Sequence, residues 1–319
     1  MNPAMNYRER AIDIPGAQGP LFGVLTEPPG PSHAAMLIVA GQPQTRVGSH
    51  RMFTDLASML AGHGVSSLRF DIGGWGDSPG EPLPFEASDR DITAAFVQLS
   101  DALLAPSKLW VLGLCDGASA AVLALPALRA VGREPAALCL VNPWVRTEAS
   151  LSDAMVRTYY AKRLFQKEFW ARLLTGKVSA GNLIREPLKH LKGRFGARAA
   201  DSGAGAGAAE SAAGAGVPGT GLTSGGGSGD LKHTPQPSDL PAQLIKELDR
   251  YQGRVLTVLS GNDLTAGETE SLMARDKRWR KRLDRKGEIL RVPGADHTFS
   301  EPSQWAGVAK WVAERARER

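Results

Sequence analysis

Short apolar runs recur along the chain, and between most of them the apolar positions spread out to helical spacing. The runs read as strands at Leu21–Leu25, Ala34–Ala40, Val65–Asp71, Lys108–Leu112, Ala136–Val141, Arg254–Ser260 and Glu288–Val292. Helices are predicted at His50–His63, Phe85–Leu104, Gly117–Leu125, Leu240–Tyr251, Ala266–Arg285 and Ser303–Arg317. A continuous run such as Ala35-Met36-Leu37-Ile38-Val39-Ala40 suits a strand buried on both faces. Strands alternating with helices imply an α/β fold, a mostly parallel doubly wound sheet with helices on both sides.

Two segments break this rhythm. From Trp144 to about Phe195 there is no strand pattern, while Tyr160, Leu164, Phe165, Phe169 and Leu173 recur at helical spacing. This predicts a helical cap inserted between two core strands. Residues Ala199 to Asp230 are dominated by glycine, alanine and serine and cannot bury enough apolar surface to offset ordering, which predicts a flexible linker. The expected organisation is an α/β core begun by residues 1–143, a cap at 144–198, a low-complexity linker at 199–237, and the rest of the core at 238–319.

Composition narrows the class. Hydrophobic residues make up 42% of the 319, enough for a sizeable core. The net charge of +5 is mild, and much of it sits between Arg275 and Lys286, which reads as a solvated helix face. No nucleic-acid module accompanies that stretch, so no nucleic-acid partner is expected; its charge is compatible with association at a membrane surface. Two cysteines supply no disulfide framework. The N-terminus lacks the apolar run of a signal peptide, and no stretch of about 18 apolar residues predicts a membrane span. The expectation is a soluble, reduced, cytoplasmic protein, with its oligomeric state left open.

The candidate chemistry centres on Val111-Leu112-Gly113-Leu114-Cys115-Asp116-Gly117, a strand running into a helix through G-x-C-x-G. A nucleophile presented at the tip of a sheet needs a strained turn, and side chains two residues away on either side would collide with it. Cys115 is therefore the candidate nucleophile. Ser119 has no glycine two residues on, and Cys139 lies within an apolar strand and reads as inert core. A thiol needs a base and the base an orienting acid. His297 follows the last strand in Gly294-Ala295-Asp296-His297-Thr298-Phe299, whereas His33, His50, His63, His190 and His233 read as surface residues. Asp263 ends the strand Arg254–Ser260 and precedes His297 by 34 residues, room for one helix and one strand. Asn142 stands where such folds can carry the acid, but an amide cannot serve. Asp296 adjoins the histidine too closely to orient it, and Asp116 reads as a first-turn acid whose charge opposes the helix dipole at the thiol.

Two backbone donors should form an oxyanion hole. The N–H of Asp116 follows the nucleophile, and Gln42 is the second candidate because Pro43 has no N–H. Arg46 and Arg51 could bind a substrate anion or make salt bridges, and Trp144, at the start of the aromatic cap, is a candidate substrate contact. Asp71 to Ser78 reads as structural turns. No spacing suggests a metal, and acyl transfer by this set needs no cofactor.

Gly113–Gly117, the Asp71–Ser78 loop, Ser260-Gly261-Asn262-Asp263 and Gly294–Phe299 together resemble the α/β-hydrolase superfamily over nearly the whole chain. More narrowly, residues 41–53, 68–78, 110–120 and 159–170 resemble the hydrolases associated with exosortase A systems, the first of their two kinds. The resemblance implies an α/β-hydrolase fold with a helical cap, triad roles for Cys115, Asp263 and His297, and a genomic setting of exopolysaccharide production and protein sorting. Where the superfamily commonly has His-Gly at the oxyanion loop, this chain has Ala40-Gly41. The expected activity is hydrolysis of a small-molecule or lipid-linked acyl ester or thioester. Acyl transfer onto a sugar or alcohol, and a catalytically silent scaffold in a polysaccharide-assembly system, are the rival expectations.

Overall fold

All seven predicted strands form, and an eighth precedes them. The computed structural model describes residues 7–103, 108–146, 240–285 and 287–318, which belong to one compact unit drawn from both ends of the chain. Beyond Arg146 the expected cap, and the whole of the expected linker, lie outside the described residues. The strands are β1 (Arg8–Gly16), β2 (Gly19–Glu27), β3 (Ala34–Val39), β4 (Val65–Phe70), β5 (Leu109–Leu114), β6 (Ala137–Val141), β7 (Arg254–Ser260) and β8 (Ile289–Val292). They make one eight-stranded sheet in the order β1-β2-β4-β3-β5-β6-β7-β8. From β4 to β8 every neighbouring pair is parallel; β1 and β2 form an antiparallel hairpin on one edge.

Alternation along the central strands divides the core in two. In β3, Ala35, Leu37 and Val39 face one apolar layer, while Ala34, Met36 and Ile38 face the other. β6 repeats the division, with Leu138 and Leu140 on the first side and Ala137, Cys139 and Val141 on the second. Both faces are apolar because helices cover both. The helices are α1 (Met52–Gly62), α2 (Asp89–Ala102), α3 (Asp116–Leu123), α4 (Leu125–Ala130), α5 (Leu240–Arg250), α6 (Leu264–Arg275), α7 (Lys277–Leu283) and α8 (Pro302–Arg317).

Helix boundaries depart from the sequence reading in places. A 3-10 turn at Phe85–Ala87 precedes α2. The predicted helix Ala266–Arg285 is two, because Asp276 is extended and its carboxylate accepts the Arg278 N–H at 2.8 Å, capping α7. The basic stretch is also largely tied down. Arg278 and Arg282 both pair with Asp249, and Arg280 donates to the Met273 carbonyl. Among the described residues, no helix is long and apolar enough to cross a membrane.

Because β3 to β8 run parallel, their C-terminal ends share one edge, and the loops after them are where a site can assemble.

Candidate active site

Cys115 stands between β5 and α3 at φ 59°, ψ −124°, a conformation that an L-residue adopts only under constraint. The constraints are visible. Its N–H donates to the Val141 carbonyl at 2.9 Å, and its own carbonyl accepts from Ala118 and Trp144, each at 3.1 Å. A Cβ on Gly113 would come within 2.5 Å of the Ala118 Cα, and one on Gly117 within 2.6 Å of the Val39 carbonyl oxygen. The turn therefore closes only with glycine on both sides. The other cysteine, Cys139, is fully buried, and desolvation pushes its thiol up to about 12.

Asp263 lies in the short loop after β7, at the N-cap of α6, and does two jobs with one carboxylate. It caps α6, accepting the Thr265 N–H at 3.3 Å and the Ala266 N–H at 3.0 Å. Its Oδ2 also lies 3.0 Å from Nδ1 of His297. The Cys115 side chain is a second neighbour that favours the protonated form of the ring. These two contacts, the Asp263 bond foremost, outweigh desolvation and raise His297 from 6.5 to about 10. The ring keeps its proton at neutral pH, and a protonated imidazole against a sulfur is a setting that favours thiolate chemistry.

The loop that carries His297 is held from three directions. Asp296 accepts the backbone N–H groups of Thr298 at 3.1 Å and Ser300 at 3.0 Å. Phe299 is buried with its ring 4.7 Å from that of Trp305, whose indole N–H donates to the Thr298 carbonyl at 3.2 Å. From below comes Asn142, at the end of β6. Its Nδ2 donates to Ser260 Oγ at 2.9 Å and to the His297 carbonyl at 3.3 Å, while its Oδ1 accepts the Ser260 N–H at 2.9 Å. Sequence reasoning treated Asn142 only as a failed acid. Here it ties the end of β7 to the histidine backbone, and its one signal in the sequence was an amide at a strand end beside the site.

Asp116 differs most from its reading as an ordinary first-turn acid. Its side chain turns back across the candidate oxyanion site: Oδ2 accepts the Gln42 N–H at 3.1 Å and Oδ1 accepts the Gly117 N–H at 3.1 Å. The Asp116 N–H also stabilises its own carboxylate. Desolvation outweighs these bonds and lifts the acid from 3.8 to about 6. A Cβ on Gly41 would collide with Asp116 Oδ1, so the carboxylate fills the space beside that glycine.

Arg46 sits elsewhere than a free anion-binding residue would. Its guanidinium pairs with Asp71 and Asp77, and its backbone N–H donates to Asp71 at 2.6 Å. Asp71 is fully buried, and this web ties the oxyanion loop to the Asp71–Ser78 turns. Trp144 lies next to the Cys115 turn, half-buried, with the Arg146 guanidinium 4.0 Å above its ring. Ser119 donates from Oγ to the Trp144 carbonyl at 2.6 Å, a structural bond.

Folds of known proteins match this arrangement along almost the entire chain. The Pyrobaculum calidifontis esterase superposes with a TM-score of 0.56 at 16% identity, covering 97% of this chain and 85% of its own. The Pyrococcus furiosus esterase Pf2001 gives 0.54 at 13% identity, covering 97% and 94%. An alpha-beta serine hydrolase homologue from Coxiella burnetii gives 0.52 at 14% identity, covering 96% of each chain. The chain has the α/β-hydrolase fold. In sequence, 123 residues are 32% identical to a stretch of the zebrafish (Danio rerio) lysophosphatidylserine lipase ABHD12. That match covers 37% of this chain and 30% of the zebrafish protein. No family model matches. The Cys115 turn joins β5 to α3, and the loops carrying Asp263 and His297 follow β7 and β8 in order.

Proposed function

We propose that the protein is an acyl hydrolase in which Cys115, His297 and Asp263 act as nucleophile, acid–base and orienting acid. The observation that carries this reading is the His297 ring, whose Nδ1 lies 3.0 Å from Asp263 and whose protonated form is also favoured by the neighbouring Cys115. The Cys115 sulfur, its proton held by His297, adds to an ester or thioester carbonyl carbon, and the carbonyl π electrons move onto oxygen. Backbone N–H groups of Asp116 and Gln42 face the developing oxyanion. When the tetrahedral species collapses, the leaving group takes the proton from His297 and an acyl-thioester remains. Acylation removes one of the two groups that held the ring's proton, which lowers the imidazole pKa, so the ring that gave its proton to the leaving group stays neutral and is free to act as a base. It then takes a proton from water, the hydroxide adds to the thioester, and the sulfur leaves as an anion, which restores the starting pair.

Asp263 keeps the imidazole in the useful tautomer throughout. Trp144, beside the nucleophile turn, is offered as a substrate contact, and Arg46 as support for the oxyanion loop. The sequence resemblance to exosortase-associated hydrolases supports a setting in exopolysaccharide production, with a lipid-linked or small-molecule acyl group as substrate. The test is a panel of short and long acyl esters and thioesters, including a lysophospholipid ester because of the zebrafish relative's name. Free acid as the only product, with and without a sugar acceptor, is the expected result; an acylated sugar would make the protein a transferase.

Asn142 supplies a check on geometry. Asn142→Ala removes three hydrogen bonds beneath the His297 loop and is expected to lower kcat by about tenfold to a hundredfold with KM little changed. Stability should fall by about 1–3 kcal/mol, because the Ser260 N–H is left buried without its acceptor. Steady-state kinetics and a thermal melt together check both, and an unchanged kcat would remove Asn142 from the positioning role.

A further inference from the structure

The carboxylate of Asp116 lies on the donors that the proposed mechanism requires for its oxyanion. A negative charge there and the negative oxygen of a tetrahedral intermediate would compete for the same N–H groups at hydrogen-bond range. In the low-dielectric surroundings of a half-buried site that repulsion is large. We infer that Asp116 gates the oxyanion hole: with its carboxylate bound to the Gln42 N–H the site is closed, and loss of that charge opens it. The inference rests on the reading of Cys115 as nucleophile.

The geometry is specific to this residue. The side chain reaches from the first turn of α3 to the loop after β3, bridging residues 74 apart in sequence. Glycine at position 41 leaves the room it needs. The charged and titratable groups around it come from three directions. Glu86, on the 3-10 turn Phe85–Ala87, disfavours its ionised form; Cys115 precedes it in the turn; and His297 lies beyond that sulfur. The loop residues Gly41 and Gln42 contribute only backbone. With the acid raised to about 6, Asp116 is charged at pH 8 and mostly neutral at pH 5, whereas His297, near 10, stays protonated across that range. Once protonated, the Asp116 side chain no longer repels the oxyanion and can itself donate a hydrogen bond to it.

The experiment measures kcat/KM from pH 5 to pH 8 for the wild type, Asp116→Asn and Asp116→Ala on one activated ester. Both variants keep the backbone N–H groups and lose the charge. Wild-type kcat/KM is expected to rise about tenfold to a hundredfold as pH falls from 8 to 5, since the competent fraction follows the neutral form. Both variants are expected to exceed wild type at pH 8 by at least about tenfold and to show a flattened profile. Glu86→Gln should move the wild-type midpoint to lower pH and leave the amplitude unchanged. Alkylation of Cys115 by iodoacetamide, which builds no oxyanion, runs in parallel. Asp116 variants that are no faster than wild type at pH 8, yet alkylate normally at Cys115, overturn the gate and leave the nucleophile reading intact. A Cys115→Ala protein as active as wild type overturns the reading on which the gate rests.

Discussion

Cys115→Ala is expected to lose turnover by about three orders of magnitude or more while its melting temperature stays within a few degrees of wild type. The two halves of this expectation come from different atoms. Turnover depends on the sulfur, because without it no covalent acyl intermediate forms and only binding and the backbone donors remain. Stability depends on the turn, and the turn is held by backbone bonds and by Gly113 and Gly117, none of which alanine disturbs. Cys115 is only partly buried, at the margin of the second apolar layer, so loss of its sulfur opens no large enclosed cavity. The same change removes one of the groups that raise His297 and should bring that imidazole down from about 10. The checks are hydrolysis rates on the ester panel, a thermal melt, and titration of the His297 ring by NMR. Residual activity within tenfold of wild type would move the nucleophile to another residue.

What could be read in advance follows the range of the interactions involved. Buried parallel strands declare themselves as continuous apolar runs, and the tight Cys115 turn as two glycines at fixed offsets; both are local patterns. β1 went unread because only Ile12 and Ile14 along it are buried, and the charged residues Arg8, Glu9 and Arg10 mask the strand. That composition is how an edge strand discourages pairing with another chain. The break at Asp276 was equally hidden, since the aspartate falls within a run of charged residues that would suit one continuous helix.

The order of cysteine, aspartate and histidine could be inferred because each lies at a strand end or just beyond one, and parallel topology brings strand ends together. The contacts that modify the site were not legible. Asp116 on the Gln42 N–H, Arg46 on Asp71 and Asn142 on the His297 carbonyl each join residues far apart in the chain. Each also depends on a side-chain direction that spacing does not encode. An acid beside Cys115 could be seen from sequence; that it turns back onto the Gln42 N–H could not.

Asp263→Asn separates the charge of the orienting residue from its shape. Asparagine is as good a helix N-cap as aspartate, so α6 should keep its first-turn bonds and the fold should persist. The neutral amide cannot stabilise an imidazolium and can present the wrong group to Nδ1, so kcat is expected to fall by about three to four orders of magnitude. A second readout tests the same bond without any substrate. His297 is raised from 6.5 to about 10, so its stabilising contribution is fully present below pH 6.5 and is lost as pH rises toward 10. Wild-type melting temperature should therefore decline through that window on account of this group. With the largest cause of the shift removed, the variant's own decline should be much shallower. Melts at pH 6, 8 and 10 compare the two slopes. Parallel slopes would mean that Asp263 does not hold the proton on His297, and a kcat within tenfold of wild type would mean that the charge so closely placed at Nδ1 is idle in turnover.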